Sequence, residues 1–221
     1  MIKTLSPEGR AGVLLGVVAF VIGALLFAAS IPVVEGLGDK VRLPMFHGAS
    51  TWVNLMTFAV MGLFGLAYLL TSREDLYRWA AGFRGTSVFL WVLNSVMGVI
   101  AALQTWDFSG SKEIPLNIVR QDPRLMAQFQ LLLLLAVVLI IDAMYESRKL
   151  RAFLDFAYAA TMSVWLYLVL ASDAARALHP DNPVMNSGSD IQLPFFGIVA
   201  CLLVAACLSA WLLRDRLVRK D

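Results

Sequence analysis

Six stretches of this 221-residue sequence stay apolar for about the 20 helical residues that a bilayer crossing takes, and that feature fixes the solvent in which the chain folds. They lie near Ala11–Val34, Gly48–Leu70, Gly85–Leu103, Leu125–Tyr145, Ala152–Ser172 and Gln192–Leu213. Hydrocarbon offers no water to bond backbone N–H and C=O groups, so each crossing segment has to satisfy its own as a helix. The sequence therefore predicts an all-α integral membrane protein, a six-transmembrane-helix bundle with residues 1–221 forming a single membrane domain. Composition agrees: 59% of residues are apolar and 15% charged, with a mean hydropathy of +0.74. Soluble domains carry charge on about a quarter of their residues. The first run follows Lys3 and Arg10 and ends near Ala28-Ala29-Ser30, as a cleavable signal would. At about 24 residues it outruns the 7–15 apolar residues of a signal peptide, and it reads as a retained first helix.

Lys and Arg in the short connections set the orientation of such a bundle. With the N-terminus inside, the inner segments hold Lys3, Arg10, Arg73, Arg78, Arg84, Arg148, Lys149, Arg151, Arg214, Arg216, Arg219 and Lys220, twelve in all. The outer loops hold six: Lys40, Arg42, Lys112, Arg120, Arg124 and Arg176. The outer connections 104–124 and 173–191 are also the longer ones. Both termini are expected on the cytoplasmic side of the cell inner membrane, with the first, third and fifth loops converging on the other face.

Several function classes are argued against. A net charge of +2 gives no footing for a nucleic-acid partner. Cys201 and Cys207 sit six residues apart on one helix, about 9 Å of rise and pointing in different directions, which no disulfide spans. Cys-x-x-Cys-His does not occur, so haem is not attached covalently in the c-type manner. No base stands beside a nucleophile and no glycine loop is built to cradle phosphate, so the chain does not read as a hydrolytic enzyme. Asp142 and Asp155 fall near inner helix ends beside Arg148, Lys149 and Arg151, and pairing there is expected in place of a proton relay. Gly12-x-x-x-Gly16 and Gly62-x-x-Gly65 are expected to permit close helix packing.

The chain has two histidines, His47 and His179, both in outward connections. Three readings are open. Each is a lone interfacial residue; or they belong to a metal site, although zinc usually takes three or four ligands; or they are the two axial ligands of a haem iron. Phe46, Trp52, Trp106 and Phe108 supply aromatic surface for a porphyrin, or else part of the interfacial belt. Arg42, Arg120, Arg124 and Arg176 are cations for haem propionates, or else snorkelling anchors.

In order and spacing these residues resemble the CcmC-type haem-handling proteins of cytochrome c maturation, over roughly residues 45–213. That family enters its second helix with His-Val-Pro-(Ala/Ser)-x-Trp, matched here at His47, Ser50 and Trp52. Its second outer loop ends in Trp-Asp-(Ala/Pro)-Arg-Leu-Thr, and here Asp122-Pro123-Arg124-Leu125 keeps the core. Its fifth helix runs out into Thr-Leu-His, and Ala177-Leu178-His179 does likewise. The resemblance implies non-covalent haem b at the outer surface, with His47 and His179 as axial ligands. Trp52, Trp106, Asp122, Arg124 and Arg176 would surround it. It also implies partners: membrane lipid, other membrane subunits of a transporter or redox complex, and an extracytoplasmic haem chaperone or cytochrome. The sequence departs from the family where tryptophans should crowd the second outer loop. Trp106 stands alone there, and Gln121 replaces the tryptophan before Asp122. Two functions follow from different classes. In one, haem is cargo handed to an assembly partner; in the other it stays, and the chain is a bis-His, cytochrome b-like electron-transfer or anchor subunit. A scaffold without haem is a third.

Overall fold

The computed structural model describes residues 5–109, 112–119, 121–172 and 184–218. Among them lie α1 (Pro7–Ser30), a 3-10 turn (Asp39–Val41), α2 (Arg42–Thr71), α3 (Glu74–Thr105), the short α4 (Pro115–Val119), α5 (Pro123–Met144), α6 (Arg148–Leu170) and α7 (Ser189–Val218). All but α4 and the 3-10 turn are long and apolar enough to cross a membrane, six in total, as the hydropathy pattern predicts.

Local chemistry fixes the helix starts. Ser6 and Ser147 accept bonds from Gly9 N (3.0 Å) and Leu150 N (3.3 Å), capping α1 and α6. Asp122 caps α5 in the same way, with Pro123 at the first helical position, where its missing N–H costs nothing. Between α2 and α3 the chain turns through Ser72, held in the left-handed region at φ 54°.

Several helices extend past their apolar runs, most of all α3, then α7 and α2. Hydropathy registers only the lipid-embedded part, while Glu74 and Asp75 favour the start of α3 through the helix dipole. The consequence is a correction. His47, expected at the end of a loop, lies inside α2, a little over one turn from its start.

The helices α2 and α3 run antiparallel at the centre. Their register is visible in three contacts: His47 against Gly98, Thr51 against Asn94, and Tyr68 against Tyr77 at 5.3 Å between ring centroids. The other face of α2 meets α6 where glycines remove side-chain bulk. A Cβ on Gly62 would lie 2.6 Å from Ala159 Cβ, and one on Gly65 would lie 2.7 Å from the Ala152 carbonyl. Gly82 of α3 meets the Ala210 carbonyl of α7 in the same manner. Outside this centre, α1 lies on α7, with Gly16 against Leu208, Gly23 against Cys201 and Gly197 against Phe27. Of the two glycine spacings, Gly62-x-x-Gly65 thus serves packing as expected. In the other, only Gly16 does, because nothing lies within 4 Å of a Cβ on Gly12. Gly65→Ala should therefore cost about 1–3 kcal/mol, as overpacking against backbone does, while Gly12→Ala leaves the thermal midpoint in detergent unchanged.

The end of the bundle that carries both described termini is held by ion pairs. Arg10 binds Asp215 at 2.7 Å, tying α1 to α7, and Arg148 reaches Glu74 at 2.7 Å. The expected pairing of Asp142 and Asp155 with cations holds, with one partner changed. Asp142 takes Arg151 and Arg84, whereas Asp155 takes Arg84 at 2.6 Å.

Candidate functional site

At the opposite end, the wall between α2 and α3 is polar. Ser50 donates to the His47 carbonyl at 2.9 Å and also meets Asn94 Oδ1. Thr51 donates to the same carbonyl at 2.9 Å and accepts from Asn94 Nδ2 at 2.8 Å. Asn94 thereby locks the first turns of α2 to α3. Four residues further along α3, Gly98 leaves room for the His47 ring. A Cβ there would stand 2.8 Å from His47 Cε1 and 3.1 Å from Nε2, so the imidazole lies flush on the α3 backbone. His47 Nδ1 is buried and has no hydrogen-bond partner among the described residues. Neutral imidazole carries one ring nitrogen that can accept a proton, a hydrogen bond or a metal.

The same Gly98 position lies 3.3 Å from Leu125 Cδ2, which brings the start of α5 beside the histidine. Here Asp122 is 2% exposed, and its Oδ1 accepts from Arg124 N at 2.8 Å and Leu125 N at 2.9 Å. These bonds cap α5. Trp106 follows the end of α3 and meets Phe108 at 6.4 Å between centroids. Both rings pack on Ala102, Val119 and Leu125. The polar stretch after Trp106 is thus pinned to the wall, because Val119 of α4 is 1% exposed in that cluster. Asp107, outside the helices, accepts from Ser109 N at 2.9 Å, which holds its carboxyl below the usual carboxylate range.

His47, Trp106, Asp122 and Arg124 therefore lie at the same end of the bundle, linked through Gly98 and Leu125. Trp52 does not join them. It lies about 140° around α2 from His47 and packs edge-on against Phe195 (5.7 Å) and Phe196 (6.2 Å) of α7. Arg42 is engaged elsewhere, bonding the Ile31 carbonyl at 3.3 Å and pairing with Asp39 at 3.0 Å. His179, Arg176 and Arg120 lie outside the described residues. The chain does fix the two ends of the segment that holds His179. It leaves α6 through Ala171 and Ser172 and resumes at Val184, 5% exposed in the cluster with Ala49, Val53 and Phe195.

Sequence reasoning missed Asn94 and Gly98, which position the histidine. Their signal was present: Ser87, Trp91, Asn94, Ser95 and Gly98 recur at helical spacing and form one buried face of an apolar span. Among the described residues no three His, Cys, Asp or Glu side chains gather as a zinc site requires. No protein-family model matches the chain, and no curated protein is significantly similar to it.

Proposed function

We propose that the chain is a haem-binding protein of the cytoplasmic membrane, holding haem b at the extracytoplasmic face between His47 and His179. The observation that carries this reading is the seated His47 ring, whose Nδ1 has no hydrogen-bond partner among the described residues. His179 precedes buried Val184 by five positions, a span of at most about 18 Å of extended chain. Trp106 and Phe108 offer an aromatic wall, and Arg124 and Arg176 are the cations for propionates. The orientation rests on the loop charges: ion-paired Arg10, Arg84, Arg148 and Arg151 all belong to the far end, the positively charged inner side. Bound haem with two imidazoles has no open coordination position, so it supplies electron transfer or is itself the cargo.

Resemblance to the haem-handling family favours cargo, passed to an assembly partner outside the membrane. One observation favours resident haem and electron transfer instead. Where that family carries its tryptophan-rich platform, this chain has α4, anchored by Val119. Purified protein expressed with ample haem should show the Soret and α bands of a bis-His haem, and His47→Ala or His179→Ala should abolish them. A colourless wild-type protein would overturn both readings. Transfer of intact haem to an added apo-chaperone then identifies cargo; reversible reduction with the haem retained identifies electron transfer.

A further inference from the structure

About two turns of α2 below His47, or roughly 10 Å deeper, the bundle carries polar groups that no side chain satisfies. Asn54 is 0% exposed, and both its Nδ2 and its Oδ1 are without hydrogen-bond partners among the described residues. The indole N–H of Trp91 (1% exposed) and Nε2 of Gln128 (7% exposed) are in the same condition. The antiparallel register that sets His47 on Gly98 and Thr51 on Asn94 places Asn54 of α2 opposite Trp91 of α3. The contact of Gly98 with Leu125 likewise places Gln128 of α5 opposite Ser95, one turn from Trp91. Three helices thus carry unpaired polar atoms at similar depth in the bundle.

Three neighbouring hydroxyl protons are already spent, whereas Ser87 Oγ, one turn from Trp91, is itself without a partner among the described residues. Thr57 donates to the Asn54 carbonyl at 2.9 Å, Ser95 to the Trp91 carbonyl at 2.8 Å, and Tyr158 to the Leu131 carbonyl at 3.1 Å. Buried polar groups in folded proteins almost always have a partner, protein or ordered water, and in hydrocarbon an unsatisfied group is costlier still. The set is donor-rich: the Asn54 and Gln128 amide nitrogens and the Trp91 indole against Asn54 Oδ1, with Ser87 Oγ able to act as either. A water accepts two bonds and donates two, so it answers such a surplus, and more than one is needed for three donor groups.

We infer that Asn54, Trp91 and Gln128 form a buried hydration site, a small cluster of ordered water that bridges α2, α3 and α5 at that depth. It is independent of haem, and it joins the polar His47–Asn94 wall to the interior.

Radiolytic hydroxyl labelling of the full-length protein in nanodiscs, in heavy-oxygen water, tests this. Radicals formed at bound water oxidise the side chains beside it. Trp91 should acquire heavy oxygen although it is buried, with exposed Tyr145 reporting the dose. The label on Trp91 should be lost in the double variant Asn54→Leu, Gln128→Leu. Unlabelled wild-type Trp91 alongside labelled Tyr145 would overturn the site, as would label that persists in the double variant. If that variant does not fold, an experimental structure at water-resolving resolution decides. Density between Asn54 and Trp91 supports the site, and a direct bond from Trp91 Nε1 to Asn54 Oδ1 overturns it.

Discussion

Replacing Arg84 with Leu is expected to destabilise the bundle by about 3–5 kcal/mol, the usual cost of stripping one partner from a buried ion pair. Its guanidinium grips Asp155 with two bonds, Nε to Oδ1 at 2.6 Å and NH2 to Oδ2 at 2.7 Å, and reaches Asp142 through NH1 at 3.3 Å. One side chain of α3 thereby binds α5 and α6 together. The Asp155 side chain is 3% exposed and the Arg84 side chain 14%, so neither is screened as a surface pair would be. Asp142 keeps a second cation in Arg151, whereas Asp155 has Arg84 as its hydrogen-bonded cation. Arg84→Leu should therefore lower the thermal midpoint far more than Arg151→Leu. Adding Asp155→Asn to Arg84→Leu should recover part of the loss, because the stranded carboxylate is then neutral. A double variant no more stable than Arg84→Leu alone would show that the tie between helices, and not the buried charge, carries the cost.

That network shows what a sequence discloses and what it withholds. The six spans were legible because lipid imposes one crude requirement, length of apolar helix, and hydropathy measures it directly. The presence of cation partners for Asp142 and Asp155 was legible too, since carboxylates near a membrane seek cations. The identity of one partner was not. Arg148, Lys149 and Arg151 are near in sequence, but Arg84 comes from another helix, and only the α3–α6 packing brings it to Asp155. The same limit applies at the other end. Hydropathy placed His47 in a loop because Arg42 and His47 are polar, yet α2 starts at Arg42 and carries both on helical turns. Helical placement separates His47 from Trp52, which a linear motif reads as one unit. It joins His47 instead to Asn94 and Gly98, some fifty residues on, by the register of two antiparallel helices. Asp122 was singled out by motif, and its geometry gives a local reason for an acid there: it caps α5.

On the proposed haem-binding reading, Gly98→Val should weaken haem retention by about 10–100-fold, the range seen when groups that orient a ligand histidine are changed. The first atom of any side chain at 98 stands 2.8 Å from His47 Cε1, and valine adds two methyl groups to it. Neither backbone can yield, since Ser50, Thr51 and Asn94 pin α2 to α3 one turn away. The imidazole is the movable part, and it must swing off the α3 surface. Stability should fall little by comparison, because the displaced group is the far end of a flexible side chain at the rim of the bundle. Haem titration and thermal unfolding, run on the same samples, separate these effects. In the Gly98→Val background, His47→Ala should remove the haem that remains, so that the double variant matches His47→Ala alone. If haem is retained at wild-type strength in Gly98→Val, the seated conformation of His47 is not the one that binds iron. The ligand would then have to be presented from another rotamer.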